Sequence, residues 1–252
     1  MSKIHLVIPD SHSHPQFNNR RYSVLGQFIC DLKPDTVIDI GDWWDMPSLS
    51  SYDKGHASFE GRRYRLDLDA GLEAQDRMFT PIRKAKKRRP RFVRTLGNHE
   101  NRIARALEQS AILIGTIGLK DLQSKEYGWE EYPFLEPAVI DGVTYQHYFT
   151  SGVAGRPIGG EHAAYSLLTK QFTSCTQGHT HTLDHCVRST IDGRKLHGLV
   201  VGCFQDYKSE WAGPANEVWN SGIVVKHEVE NGQYDLEWVS MQRLFKMYPD
   251  VS

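Results

Sequence analysis

An α/β fold with mixed sheets is what three features of this 252-residue chain predict. The first half alternates short β-prone runs with stretches of helical spacing, the order that builds parallel strands joined by crossovers. The second half pairs β-prone runs around Asp-Gly and Asn-Gly dipeptides, the strongest short-range signal for tight hairpins. No internal repeat and no linker divides the sequence, so one domain over residues 1–252 is expected.

Each element has its own warrant. "KIHLVIPD" (3–10) is an apolar run closing on an aspartate and is predicted to be a buried strand. Residues 20–32 place apolar side chains at helical spacing and stop before Pro34. "DTVIDIGD" (35–42) is a second buried strand, again ending at an aspartate. Residues 43–64 are aromatic and irregular, a loop of the kind that lines substrate sites. A charged helix over about 65–88 is bounded by Pro90, and "RFVRTLGNHE" (91–100) is a third strand running into a polar cluster. Residues 101–126 are predicted mainly helical. "PAVIDGVTYQHYF" (137–149) reads as a hairpin about Asp141-Gly142. A Gly-rich loop (151–160), a helix over about 161–172 and a short strand lead into "QGHTHT". Two more hairpins turn at Asp192-Gly193 and Asn231-Gly232.

Composition narrows the function classes. The formal net charge of -1 gives no global pull toward nucleic acid or an anionic membrane. Cys30, Cys175, Cys186 and Cys203 are scattered with no C-x-x-C pair, which argues against a disulfide framework or a thiolate zinc site and fits a reducing compartment. The apolar stretch "AILIGTIGL" (111–119) is far short of the ~20 residues a membrane span needs, and the N-terminal run is too short for a secretory h-region. A soluble, cytoplasmic protein with no membrane association is expected, and nothing in the sequence points to a protein partner.

Four predicted strand ends deliver side chains suited to a metal: Asp10-Ser11-His12, Gly41-Asp42-Trp43-Trp44-Asp45, Gly97-Asn98-His99-Glu100 and Gly178-His179-Thr180-His181. Loops converge at the carboxyl ends of strands in open α/β sheets, so these residues are candidates to meet. Any one motif alone is commonly a solvated turn. All four in order, each behind a β-prone run, form a far rarer combination.

In these motifs the sequence resembles the calcineurin-like metallophosphoesterases, whose ordered signature is D-x-H, G-D-x-x-D, G-N-H-[DE], a lone His and G-H-x-H. The match spans residues 10–181 and looks especially like the small phosphoesterases of bacteria and their viruses. The resemblance implies a four-layer α/β/β/α sandwich of two mixed sheets flanked by helices, with two divalent metal ions at one sheet edge. Asp10, His12, Asp42 and His181 would hold the first ion. Asp42 would bridge to a second, completed by Asn98, His179 and the lone histidine. That histidine is either His147, at the end of a strand and before a crossover helix, or His162, at the start of that helix; His147 is the first choice. The family usually places glycine after it, and Tyr148 stands there instead. Gly178 would let the backbone turn tightly enough to aim His179 and His181 at different ions.

The same resemblance assigns His99 as the acid that protonates the leaving oxygen or stabilises its charge, and Asp45 as the carboxylate that orients it, a loop-capping carboxylate being the alternative for Asp45. Glu100 would structure the turn and the helix start. Arg102 would either bind the substrate phosphate bidentately or lie solvated on its helix. The implied reaction is in-line attack on phosphorus by a metal-bridging hydroxide, with phosphodiesters (nucleotide or nucleic acid) slightly ahead of phosphomonoesters. A protein phosphatase is disfavoured because Met46-Pro47 replaces the Arg-Gly of that branch. A non-catalytic scaffold on the same fold is the remaining alternative. Nitrogen and oxygen donors without thiolate suit manganese first, with iron, zinc or nickel also possible.

Two other features invite function. The basic run "RKAKKRRPR" (83–91) precedes the third strand, so it lies about 17 Å from the strand's far end at ~3.3 Å per residue; a solvated helix end is expected ahead of a remote docking patch. The loop aromatics Trp43, Trp44, Tyr52, Trp211 and Trp219 would either stack a base or nucleoside or pack the sandwich edge, with Trp43 or Trp44 expected at the site mouth and Trp219 in packing.

Overall fold

The computed structural model describes residues 2–85 and 88–251. Strand β1 (Lys3–Ile8) leads to helix α1 (Arg20–Leu32), β2 (Thr36–Asp39), α2 (Tyr64–Lys84), β3 (Arg91–Thr95) and α3 (Asn101–Gln109). Next come α4 (Ser124–Tyr127), β4 (Trp129–Tyr132), the hairpin β5 (Ala138–Ile140) and β6 (Val143–Tyr145), and a two-stranded ribbon of β7 (Thr150–Ser151) and β8 (Arg156–Pro157). Then α5 (Ala163–Gln171) and β9 (Cys175–Gln177) precede β10 (Leu183–Ser189), β11 (Lys195–Val201), β12 (Gly222–Glu230), β13 (Gln233–Ser240) and α6 (Met241–Met247).

The protein is α/β with two mixed sheets. A six-stranded sheet runs β13-β12-β1-β2-β3-β4, and a five-stranded sheet runs β10-β11-β9-β6-β5. Strands β1 to β4 are mutually parallel, while β12 and β13 are antiparallel additions. Alternation along the strands sorts the core. Leu6 and Ile8 of β1 join Val37 and Phe92 in a cluster with α1, α2 and α6. Val7 faces the other way and shares a second cluster with Ile38, Val93, Tyr145, Leu199 and Val201, residues of both sheets. Helix α5 packs Ala163 and Leu167 on Cys175 and Val200 in a third. The period of two in these runs is what makes them strands buried on both faces.

The sequence expectations hold for α1, the early strands and the three hairpins, with differences elsewhere. Helix α2 ends at Lys84, short of 88. Arg83 in its last turn pairs with Asp76, and Arg91 pairs with Glu130 across β3 and β4, while Lys86 and Lys87 of the basic run lie outside the described residues. Between Ser110 and Gln123 the expected helix gives way to two 3-10 turns, broken where Gly115 takes φ 84°. Trp43 and Trp44 are not at the site mouth. Both are fully buried against α2, where the Trp43 indole donates to the Gly71 carbonyl at 3.1 Å. No helix among the described residues is long and apolar enough to cross a membrane.

Buried His5 makes folding acid-sensitive. Its imidazole meets the Tyr145 hydroxyl at 2.8 Å and Asp141 at 2.9 Å, and burial pushes its pKa from 6.5 down to about 4 despite the Asp141 hydrogen bond. The unfolded chain therefore takes up a proton near 6.5 that the folded chain refuses until about 4. Stability is full above the unfolded value and falls as pH drops through that window, by up to about 3 kcal/mol. Urea unfolding of His5→Gln should show a smaller loss between pH ~7.5 and ~4.5 than the native sequence. Equal losses would place the acid sensitivity elsewhere.

Candidate metal centre

Because β1, β2 and β3 are parallel neighbours, the loops that leave them emerge at one edge. Backbone bonds lock the first two loops together: His12 N–H donates to Asp42 O at 2.8 Å and Ser13 N–H to Trp43 O at 2.7 Å. From the second sheet, β6 and β9 arrive in parallel, and Gly178 N–H donates to His147 O at 2.9 Å. Asp10, His12, Asp42, Asp45, Asn98, His99, Arg102, His147, His179 and His181 are all brought to this edge. His162 is not: it is exposed at the start of α5.

Three groups of donor atoms, each within 4.8 Å of one another, make up the centre: Asp10 with His12 and His181, His12 with Asp42 and His99, and Asp42 with His147 and His179. Asp42 Oδ2 stands 3.3 Å from His147 Nε2 and 3.8 Å from both His12 Nε2 and His99 Nε2. Donors held ~2.1 Å from one ion are themselves about 3.0–3.5 Å apart, so the spacing suits a shared cation.

The hydrogen bonds give a second test of fit. His12 Nδ1 lies 2.9 Å from Asp45 Oδ1, an acceptor, so Nδ1 carries the proton and Nε2 presents a lone pair. That lone pair faces His181 Nε2 at only 3.2 Å. His147 Nδ1 likewise donates to Ile40 O at 3.1 Å, turning its Nε2 toward Asn98 Oδ1 at 2.9 Å. Such opposed acceptors need a proton or a cation between them, and a carboxylate or carbonyl behind each imidazole is how metal-binding histidines are oriented. Among the described residues, Asp10 Oδ2 and His181 Nδ1 are buried without a hydrogen-bond partner. The nitrogen and oxygen donors fit a divalent metal ion.

Burial and mutual charge shift the titration of these groups in opposite directions. Burial lifts the Asp10 carboxyl to about 7, against the pull of His147. At Asp42 burial is outweighed by His147 and His99, which hold the carboxyl well below its usual range. Burial alone would lower the His147 pKa, yet the charge of Asp42 raises it to about 9. Burial and the neighbouring His147 lower His179 to about 4, leaving it neutral and ready to ligate at pH 7.

Strain and tight clearance mark the loops. His12, Asp42, His179 and His181 all take left-handed backbone, with φ of 46°, 56°, 70° and 60°. Non-glycine residues adopt that region at a cost and mostly where function demands it. Gly178 itself does not take positive φ. Its role is clearance: an added Cβ would lie 2.0 Å from Asp10 Oδ2, and one at Gly97 would lie 2.0 Å from Asp42 Oδ1. Gly178→Ala should therefore displace Asp10 and weaken metal binding at least ~10-fold while the fold survives, as for loss of a group that positions a ligand. Unchanged metal affinity by calorimetry would refute this role.

Glu100 structures the turn: it accepts from the backbone N–H groups of Asp42 at 2.9 Å, Gly97 at 2.8 Å and Trp44 at 3.0 Å. Asp45 does more than expected, since Oδ1 meets both His12 Nδ1 and, at 3.2 Å, His99 Nδ1. His99 Nδ1 also donates to the Asp45 carbonyl at 2.6 Å. Arg102 is half-buried rather than solvated, donating to the carbonyls of Asp45 and Met46 at 2.8 and 3.1 Å, with Nη2 3.1 Å from His99 Nε2. Trp219, expected in packing, packs on the centre itself: its ring stands 4.4 Å from His181. Tyr207 was missed: its hydroxyl donates to His12 O at 2.6 Å, and it lies in no motif, so no local signal marked it.

The fold and this cluster define the molecule as a mixed α/β protein with buried histidine and aspartate groups able to hold a metal ion. The chain is similar to the Gene 54 protein of Mycobacterium phage L5, at 26% identity over 234 residues covering 89% of each chain. It is also similar to the Gene 54 protein of Mycobacterium phage D29, at 35% identity over 83 residues, 33% of this chain and 31% of the phage protein. No protein-family model matches the sequence.

Proposed function

We propose that the protein is a metal-dependent phosphoesterase of the calcineurin-like type, acting on phosphodiesters of nucleotide or nucleic-acid kind ahead of monoesters. One observation carries this reading: the side chains that the resemblance nominates, drawn from five loops of two sheets, converge around the Asp42 carboxylate. The clusters on either face of each sheet support a four-layer α/β/β/α sandwich.

Asp10, His12, His181 and Asp42 would hold one divalent ion, and Asp42, Asn98, His147 and His179 a second, manganese before iron, zinc or nickel. When bound, such a pair neutralises phosphate charge and activates water. The remaining work belongs to the chain. Asp45 and Ile40 O hold the Nδ1–H groups of His12 and His147, so the inner Nε2 atoms are the ones that would ligate. His99 Nδ1 donates to the Asp45 carbonyl and its Nε2, turned toward Asp42, accepts from Arg102 Nη2, so a proton for a departing alkoxide would load on Nε2 only as Arg102 turns from it to the substrate phosphate. Arg102 sets a cation beside that nitrogen, where incoming phosphate oxygens would gain a partner. Purified protein with added manganese should turn over bis(p-nitrophenyl) phosphate faster than p-nitrophenyl phosphate. No turnover of either, across the four metals, overturns the reading and revives the scaffold.

A further inference from the structure

The segment joining β11 to β12 sets two indoles beside the His181 side of the centre. The Trp219 and His181 rings form a T-shaped pair at 4.4 Å and 78°, and Trp211 lies 5.7 Å from Trp219. Trp211 is 72% exposed, whereas Trp43 and Trp44 are fully buried. The segment is braced from within: the Asn216 side chain accepts from Ser209 N–H at 2.9 Å and donates to the carbonyls of Ser209 at 2.9 Å and Gly213 at 2.8 Å. It is also tied to the centre, because Asn220 N–H donates to His181 O at 2.9 Å while its Oδ1 accepts from Leu183 N–H at 2.9 Å. Trp219 therefore keeps its place relative to the residue that carries His181.

From this geometry we infer that Trp219 and Trp211 form a stacking subsite for the base of a small nucleoside phosphate ester whose phosphate lies at the His181 side of the centre. The inference rests on the phosphoesterase reading and gives its substrate a class. An indole face accepts any base, since every base presents a π-surface. Other aromatics near the centre are less open than Trp211: half-buried Tyr207 stacks on Phe17 at 3.8 Å and 9° and takes the Arg21 guanidinium, and half-buried Tyr148 packs between His179 and Phe134. A long polynucleotide would need a basic track. Here Lys208 is paired with Glu217, Arg62 with Asp53, and Arg21 is buried on Asp206. A mononucleotide-sized ester fits better.

Calorimetry on the manganese-supplemented protein reads binding at the subsite directly. Thymidine 5′-monophosphate should bind more tightly than methyl phosphate, which carries the same phosphate and no base. Trp211→Ala and Trp219→Leu should each shrink that preference roughly 10- to 100-fold, and Trp219→Phe should restore most of it. No preference for the thymidine ester, or one that both substitutions leave intact, overturns the subsite. A second pair, the methyl and thymidine 5′ esters of p-nitrophenyl phosphate, separates this from the parent reading. Turnover of both without a thymidine preference sinks the subsite alone, whereas the binding preference without turnover sinks the hydrolase and leaves the subsite.

Discussion

Asp42→Asn is expected to leave the fold intact and abolish metal binding, with a loss of the proposed phosphoesterase activity greater than the ~100-fold upper range for changing a group behind a ligand. The expectation follows from position. Asp42 belongs to two of the three donor groups, and its Oδ2 faces three imidazole nitrogens at 3.3 to 3.8 Å. An asparagine keeps the size and the carbonyl that accepts from His99 N–H, now at 2.8 Å, so the turn has no reason to open. What it removes is a full negative charge at the point where two cations would otherwise repel. The same charge outweighs burial in raising His147 to about 9, so the variant's His147 should titrate lower, an effect visible by NMR without metal. Retention of two ions by metal analysis would contradict the site as built.

Much of this centre was legible in the sequence because each ligand motif follows a run whose chemistry leaves few choices. "KIHLVI", "TVID" and "RFVRT" are buried on both faces, which forces parallel neighbours and brings their exits to one edge. Hairpin turns were equally plain, since Asp-Gly and Asn-Gly supply the positive φ that Asp141, Gly142, Asn231 and Gly232 adopt. What escaped depends on tertiary contacts. Trp43 and Trp44 look like loop aromatics, yet Gly71 on α2 leaves room for the Trp44 indole, where a Cβ would sit 1.7 Å from Nε1. The Arg94 guanidinium, paired with Asp39 at 2.5 Å, then fills the space among Trp43, Trp44 and Trp129 at 4.4 to 5.0 Å. Strand β4, "WEEY", has a single fully buried residue and lies at a sheet edge, so no alternation announced it. Trp219 reaches His181 only because β11 and β12 lie in different sheets and the segment between them must cross the edge.

His99→Asn should separate substrates by their leaving group. Esters with alkyl leaving groups are expected to slow about 10²- to 10⁴-fold, the usual contribution of a positioned acid, while nitrophenyl esters slow far less. A nitrophenolate departs without needing a proton, so the acid has little to add. An alkoxide needs one, and with Nδ1 bound to the Asp45 carbonyl, His99 Nε2 is the nitrogen that would deliver it once Arg102 Nη2 turns from it to the phosphate. The variant also loses the contact with Arg102 Nη2, which could disturb the loop for a reason unrelated to proton transfer. Arg102→Lys provides the control: a positional fault slows both ester classes together, so only the His99 variant should tilt the ratio. Equal slowing of alkyl and nitrophenyl esters in His99→Asn would remove the acid role, and metal content unchanged from the native protein would show that the tilt does not come from a lost ion.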